Sequence, residues 1–305
     1  MIFWHRTASH TLVSERFAGY QLIKLIHQGR KSTVYQARYG QTERLCALKV
    51  YNPPYEREVR RLRAEYRLPS EGEVGRLMNA PSGMDPREHP IVQTLDFGQE
   101  YGHSEGAHYV VLEYIVGHNL KNLIVAHHPQ VRAHAREILM RVLDGLGFIH
   151  ARGFIHRDFC ADNVMVARGW RAKIIDLGFA CPVGQRFGFR AGTPTYMAPE
   201  QFLREPLTAA TDIYSLGVVA YELWTGRAPF LSTYPADDAA AAEKRTRELM
   251  EQHLKTLPPP PRQLVPDLSP AIERWLLRCL AKEPAARYSS TGEARAALAA
   301  ALTSS

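Results

Sequence analysis

Cysteine is scarce in this chain: four residues in 305, Cys46, Cys160, Cys181 and Cys279, with no pair at C-x-x-C spacing. That excludes a disulfide framework and a thiolate zinc site, and it points to a reducing compartment. Long apolar runs are also missing. The stretches Tyr109–Leu112 and Ile213–Leu223 are interrupted by Glu113, Ser215 or Glu222, well short of the roughly 20 residues that a membrane span needs. Met1–Arg6 offers too brief an apolar segment for a secretory signal, so the expectation is a soluble, cytoplasmic protein. Charge of one sign is not concentrated either. The 38 basic and 31 acidic residues leave a net +7, but the densest basic stretch, Arg57–Arg67, interleaves acids and reads as a solvated helix face. No aromatic-basic platform accompanies it, so nucleic acid is not an expected partner. No internal repeat is visible, and the run Ala239–Ala242 is helix-forming sequence.

What is present is a chain with 45% hydrophobic and 23% charged residues, enough for one large domain or two lobes with their own cores. Residues 20–51 alternate apolar and polar side chains and break at Gly29 and Gly40, which predicts a small antiparallel sheet. Arg57–Leu68 and Glu71–Ala80 have helical composition, interrupted by Pro69, which lacks an N–H and clashes with the preceding turn. Pro81–Arg87 reads as a surface insertion. Ile91–Phe97 and Tyr109–Ile115 follow as strands joined by a turn at Gly102–Gly106. After Gly117 the pattern is helical. Val131–His150 carries Ile138, Leu139, Val142, Leu143, Leu146 and Ile149 on one stripe. Further helices are expected at Ala210–Trp224, Ala239–Leu254, Ser269–Ala281 and Thr291–Leu302, with Pro258–Pro261 as a stiff connector. The expected class is therefore α+β: a small β-rich N-lobe with one helix over residues 20–115, a larger helical C-lobe over 116–302, and an N-terminal extension over 1–19.

The segment Ile155-His156-Arg157-Asp158-Phe159-Cys160-Ala161-Asp162-Asn163 is followed, eighteen residues after Asp158, by Asp176-Leu177-Gly178. Two acids and an amide in this arrangement can hold a divalent metal beside a nucleophilic hydroxyl. Phosphoryl transfer demands that combination, because positioning and charge neutralisation supply most of its catalysis. Upstream lies Ala47-Leu48-Lys49. Downstream come Gly192-Thr193-Pro194-Thr195-Tyr196-Met197-Ala198-Pro199-Glu200 and Asp212-Ile213-Tyr214-Ser215-Leu216-Gly217. With these five ordered motifs the chain resembles the eukaryotic-like Ser/Thr protein kinase family over roughly residues 20–302.

The resemblance implies a bilobal kinase-like fold with ATP and Mg²⁺ (or Mn²⁺) between the lobes, and protein substrates. It makes Lys49 the lysine on the ATP phosphates, Asp158 the base or hydroxyl-orienting residue, and Asn163 and Asp176 the metal ligands. Ile26, Gly29, Val34 and Ala47 would line the nucleotide, Leu112 would limit the back of the adenine pocket, and Glu113 and Ile115 would present backbone groups to adenine. Thr193 would bond the catalytic Asp158. His156, Arg157 and Gly178 would be structural, Asp212 would brace the catalytic loop, and Glu200 would pair with Arg287. For the glutamate that pairs with Lys49, Glu58 follows too soon and Glu65 has Pro69 where an apolar neighbour should pack. Glu73, with Leu77 one turn on, is preferred, and Glu65 is the alternative.

Three features depart from the family pattern. The phosphate-covering segment Leu25-Ile26-His27-Gln28-Gly29-Arg30-Lys31-Ser32-Thr33-Val34 keeps one of three glycines, which implies a stiffer lid. Cys160 stands where such kinases place a lysine near the transferred phosphate, leaving two readings open: an active kinase in which Lys31, Arg190 or another cation compensates, or a nucleotide-binding pseudokinase. A small-molecule phosphotransferase is a third reading, disfavoured by the Gly192–Glu200 motif. Finally, Phe179–Ala191 contains no Ser, Thr or Tyr, so no hydroxyl there can be phosphorylated. Either Phe187 and Phe189 anchor that loop or an activating protein partner orders it. His127 with His128, and His103 with His108, are expected to be exposed side chains. Cys160 and Cys181 are expected to be packed thiols, with a redox role as the alternative.

Overall fold

The computed structural model describes residues 16–40, 42, 44–101, 107–235 and 240–303. The alternating segment gives β1 (Arg16–Phe17), β2 (Tyr20–Gln28), β3 (Ser32–Tyr39) and β4 (Leu45–Tyr51); α1 (Pro53–Tyr66) and α2 (Glu71–Leu77) follow, then β5 (Thr94–Glu100) and β6 (Ala107–Glu113). These strands pair in the order β1-β2-β3-β4-β6-β5, antiparallel throughout. Because successive side chains alternate between faces, the register sorts this sheet into two surfaces. One buries Tyr20, Leu22, Ala37, Cys46, Leu48 and Val111 as a core cluster. The other carries Ala47, Lys49 and Tyr51 of β4 beside Val34 and Leu112, which stand opposite Lys49 and Ala47 respectively.

Among the described residues this unit carries two helices, where the sequence predicted one. The second exists because Ser70 opens it with a full capping box: its side chain accepts from Glu73 N while the Glu73 carboxylate accepts from Ser70 N. The first starts at Pro53, ahead of the expected Arg57, since proline is at home in the first turn. It ends at Arg67, which takes φ 51° before Pro69. The insertion before His89 is exposed and contains one 3-10 turn, Pro86–Glu88. The expected Gly102–Gly106 turn, with His103, lies outside the described residues, as does most of the 1–19 extension; Arg16 and Phe17 already pair with Gln21 and Tyr20.

The chain divides into two compact units, one running to Gly117 and one from His118. The second comprises β7 (Gly117–Asn119, shared at the junction), α3 (Leu120–Val125), α4 (Ala135–Ala151), β8 (Phe154–Ile155), β9 (Val164–Ala167), β10 (Arg171–Ile174), β11 (Cys181–Pro182), α5 (Pro199–Leu203), α6 (Ala209–Thr225), α7 (Ala242–Lys255), α8 (Pro261–Leu264), α9 (Pro270–Cys279) and α10 (Thr291–Thr303). Every residue of the predicted α4 stripe is buried. Helix α6 is buried around its whole circumference from Ala210 to Trp224, which makes it the axis of this unit. The connector Pro258–Pro261 ends where Pro261 opens α8. Among the described residues no helix is long and apolar enough to cross a membrane.

Candidate active site

Lys49 lies on the sheet face away from the core cluster. Its ammonium contacts both carboxylate oxygens of Glu71, at 3.0 and 2.9 Å. The partner is thus Glu71, and neither Glu73 nor Glu65 holds that place. Helix α2 turns Glu71, Gly72, Val74, Gly75 and Met78 inward and leaves Glu73 and Leu77 exposed. Gly72 and Gly75 let it approach β5: a Cβ at either would collide with Phe97 or Thr94. Glu73 is taken up by the cap at Ser70, and Glu65 is exposed on α1. The signal for this was present as S-x-x-E at 70–73, with two glycines marking the packed face.

Sequence reasoning also missed Tyr51, one side-chain alternation beyond Lys49, whose buried hydroxyl donates to Glu71. Burial, with the Glu71 carboxylate beside it, drives the Tyr51 phenol well above its ordinary pKa, so it remains a donor. The Gly29–Lys31 turn is clasped by another residue outside the expected set. Asn52 donates to the carbonyls of Gly29 and Arg30, at 2.6 and 3.0 Å, and its backbone N–H donates to Lys31 O at 3.0 Å. Arg30 at the tip is exposed, while Lys31 lies 5.8 Å from the Tyr55 ring centroid. Glu113 ends β6 with its carboxylate accepting from Gln93 N (3.0 Å), and Ile115 follows the strand.

In the second unit Asp158 is fixed by Thr193, whose backbone N–H and hydroxyl both donate to Oδ1, at 2.7 and 2.8 Å. Asn163 donates its amide to the Asp158 carbonyl (2.9 Å), which makes the Asn163 oxygen the end that can meet a cation. The antiparallel pairing of β9 with β10 sets Val164 opposite Ile174, and Ile175 N–H donates to Asn163 O (3.0 Å). The two predicted metal ligands, Asn163 and Asp176, therefore flank the open end of one ribbon. Gly178 N–H orients Asp176 by donating to its Oδ1 (2.8 Å). A carboxylate and an amide oxygen are hard donors suited to Mg²⁺ or Mn²⁺, so these residues fit the expected ion.

The frame beneath is buried and charged. Asp212 accepts from the backbone N–H groups of His156 and Arg157, at 2.8 and 2.9 Å, and lies 2.7 Å from His150 Nε2. Burial alone would raise the Asp212 carboxyl, but the His150 hydrogen bond and the neighbouring His156 hold it below the usual range. Glu200 and Arg287 form a two-pronged pair at 2.7 and 2.9 Å, both almost fully buried.

Cys160 is buried, and its thiol is pushed well above the ordinary range by burial and by Asp158 and Asp162. Burial likewise raises Cys181 to about 12. Neither is a thiolate nucleophile. All four cysteines are free and buried. An ammonium does enter this neighbourhood, from α3: Lys121 pairs with Glu222, which accepts from Tyr196 (2.6 Å), and Lys121 is the main charge countering the burial that raises Asp162 to about 6. Of the histidines set aside as exposed, His127 is so, His128 is half-buried at 5.7 Å from the Trp170 ring, and His108 pairs with the buried Glu56.

The protein kinase domain profile matches residues 20–300. The chain is 33% identical over 294 residues to serine/threonine-protein kinase pkn3 of Myxococcus xanthus, covering 92% of this chain and 49% of that one. It is 31% identical over 299 residues to PknD of Mycobacterium tuberculosis (96% and 41%) and 32% over 290 residues to PknA of the same species (92% and 61%). The chain belongs to the protein kinase domain family, and its α+β fold is that family's. It spans about half the length of these relatives.

Proposed function

We propose that this chain is a Ser/Thr protein kinase, transferring the γ-phosphoryl of ATP to protein hydroxyls. The observation that carries the reading is the double grip of Thr193 on Asp158, which leaves a carboxylate aimed by a fixed frame beside Asn163 and Asp176. Asp158 orients the accepting hydroxyl and takes its proton. Lys49, held by Glu71 and Tyr51, serves the nucleotide phosphates, with Ile26, Gly29, Val34, Ala47 and Leu112 about the base and sugar and the backbone of Glu113 and Ile115 for adenine. Asn163 and Asp176 would hold Mg²⁺ or Mn²⁺, which neutralises phosphate charge when bound. The free, buried thiols suit the reducing cytoplasm.

A second reading, a nucleotide-binding pseudokinase, is favoured by Cys160, an uncharged side chain at the position of an expected cation. Lys121 supports the active reading, since it brings an ammonium to the Asp162, Tyr196 and Glu222 cluster. The loop supports activity without phosphorylation: Phe179–Ala191 has no hydroxyl, and Phe187 is buried by the protein's own residues. Incubation with γ-labelled ATP, Mg²⁺ or Mn²⁺ and a generic basic protein decides between the two. Transfer that survives prior phosphatase treatment is expected; absence of transfer with retained ATP binding would establish the pseudokinase.

A further inference from the structure

Arg157 precedes Asp158 and is built into the site by its backbone as well as its side chain. It adopts φ 68°, a conformation a non-glycine residue holds only under constraint. The constraint is visible at both ends: its N–H donates to Asp212 Oδ1 (2.9 Å) and its carbonyl accepts from Gln201 Nε2 (2.8 Å). Gln201 also reaches the Ala191 carbonyl, at 3.4 Å. Arg157 is 4% exposed, and its guanidinium carbon lies 3.5 Å from the Phe187 ring centroid and 5.1 Å from that of Phe189. The two rings meet edge to face at 5.4 Å. Phe187 is itself buried, also at 4%.

We infer that Phe187 and Phe189 form an uncharged clamp on Arg157, and that Phe187 is a positioning residue acting on Asp158 through Arg157. This rests on the kinase reading above and adds to it the means by which the loop is held. A guanidinium desolvated over an aromatic face is attracted by the ring quadrupole. The clamp therefore ties the Arg157 cation to the loop by ring contacts, in a segment where no hydroxyl can carry phosphate. Its effect reaches the reacting residue by a short covalent route. Arg157 is bonded to Asp158, and the loop that carries Phe187 continues to Thr193, which grips Asp158 directly. Cys181–Pro182, paired with Phe154–Ile155, anchors the loop's other end.

The test is a double-mutant cycle between Phe187→Leu, which keeps apolar volume and removes the π face, and Arg157→Met, with Phe187→Tyr as the aromatic control. Two readouts are taken on the whole chain: kcat and KM for ATP with a basic protein substrate, and amide hydrogen exchange across residues 183–191. Phe187→Leu should lower kcat roughly 10- to 30-fold and leave KM for ATP within about twofold, while Phe187→Tyr stays within about threefold of the parent. In the Arg157→Met background Phe187→Leu should cost less than about twofold more, and both single variants should speed exchange of the loop. The inference is overturned by a Phe187→Leu cost of equal size in both backgrounds, by a Phe187→Tyr as impaired as Phe187→Leu, or by unchanged loop exchange. A parent chain without phosphotransfer would remove the kinase reading, and the exchange measurement would still decide the clamp.

Discussion

Replacing Glu71 by Gln should do far more than replacing the more conspicuous Glu73. Lys49 makes two contacts to the Glu71 carboxylate, at 3.0 and 2.9 Å, with Glu71 only 3% exposed. A hydrogen bond to a charged group contributes about 1.5–3 kcal/mol net, and breaking a buried pair by removing one charge costs about 3–5 kcal/mol. Glutamine still accepts from the ammonium and from Tyr51, and the Lys49 side chain retains some solvent, so about 2–3 kcal/mol is expected at this site. Expressed wholly in the placement of Lys49, that is a fall of roughly 30- to 150-fold in kcat/KM for ATP. Glu73→Ala removes one arm of the cap on α2, costing about 0.5–1 kcal/mol of stability and leaving kcat/KM within about twofold. The assay is steady-state phosphotransfer beside urea unfolding of both variants. A Glu73→Ala chain with lost activity, or a Glu71→Gln chain at parental kcat/KM, would refute the assignment.

The remaining predictions concern the frame, the phosphate loop and pH. Arg287→Met strands Glu200 in the interior and should lower stability by about 3–5 kcal/mol, while Glu200→Gln/Arg287→Met recovers part of the loss; urea midpoints check both. Asn52→Ala frees the Gly29 and Arg30 carbonyls and should raise KM for ATP several-fold with a smaller change in kcat, read from initial rates. His253 is held to about 3, first by burial and then by nearby Lys282. Its folded value lies below the unfolded value of about 6.5, so the unfolded chain binds the extra proton as pH falls, and stability present at pH 7 is lost towards acid. Relative to His253→Gln, the parent should lose about 1.5 kcal/mol between about pH 6.5 and pH 5, measured by urea unfolding. The comparison with His253→Gln cancels the opposite contribution of Asp162, whose raised value disfavours folding as pH rises towards 6.

Much of this molecule is legible in its sequence. Two-residue alternation located the strands that carry Val34, Ala47 and Lys49, and the 3.6-residue stripe of α4 is buried as read. Short polar motifs placed Asp158 against Thr193 and Glu200 against Arg287, since their spacing reflects a frame that tolerates few alternatives. What misled was local inference about one helix. Leu77 reads in sequence as the packed neighbour of Glu73, but α2 is only two turns long, and its orientation is set by the Ser70 cap and by glycines approaching β5. Asn52 and Lys121 were illegible for another reason: their partners are distant in sequence, at Gly29 and Glu222, and lone polar residues near a helix start carry no periodic signal. The clamp on Arg157 was half legible. Phe187 and Phe189 stood out as anchors, but the cation they hold is set by the left-handed backbone of Arg157, which only the fold reveals.

The most direct test of Asp158 as the hydroxyl-orienting base is phosphoryl transfer by Asp158→Asn beside the parent chain, with labelled ATP and a basic protein substrate. Asparagine keeps an oxygen for Thr193 and cannot take the hydroxyl proton. The expected result is an unchanged melting curve and a fall in kcat on the order of 10²–10⁴. Transfer by Asp158→Asn within about tenfold of the parent, below what general-base catalysis contributes, would contradict it.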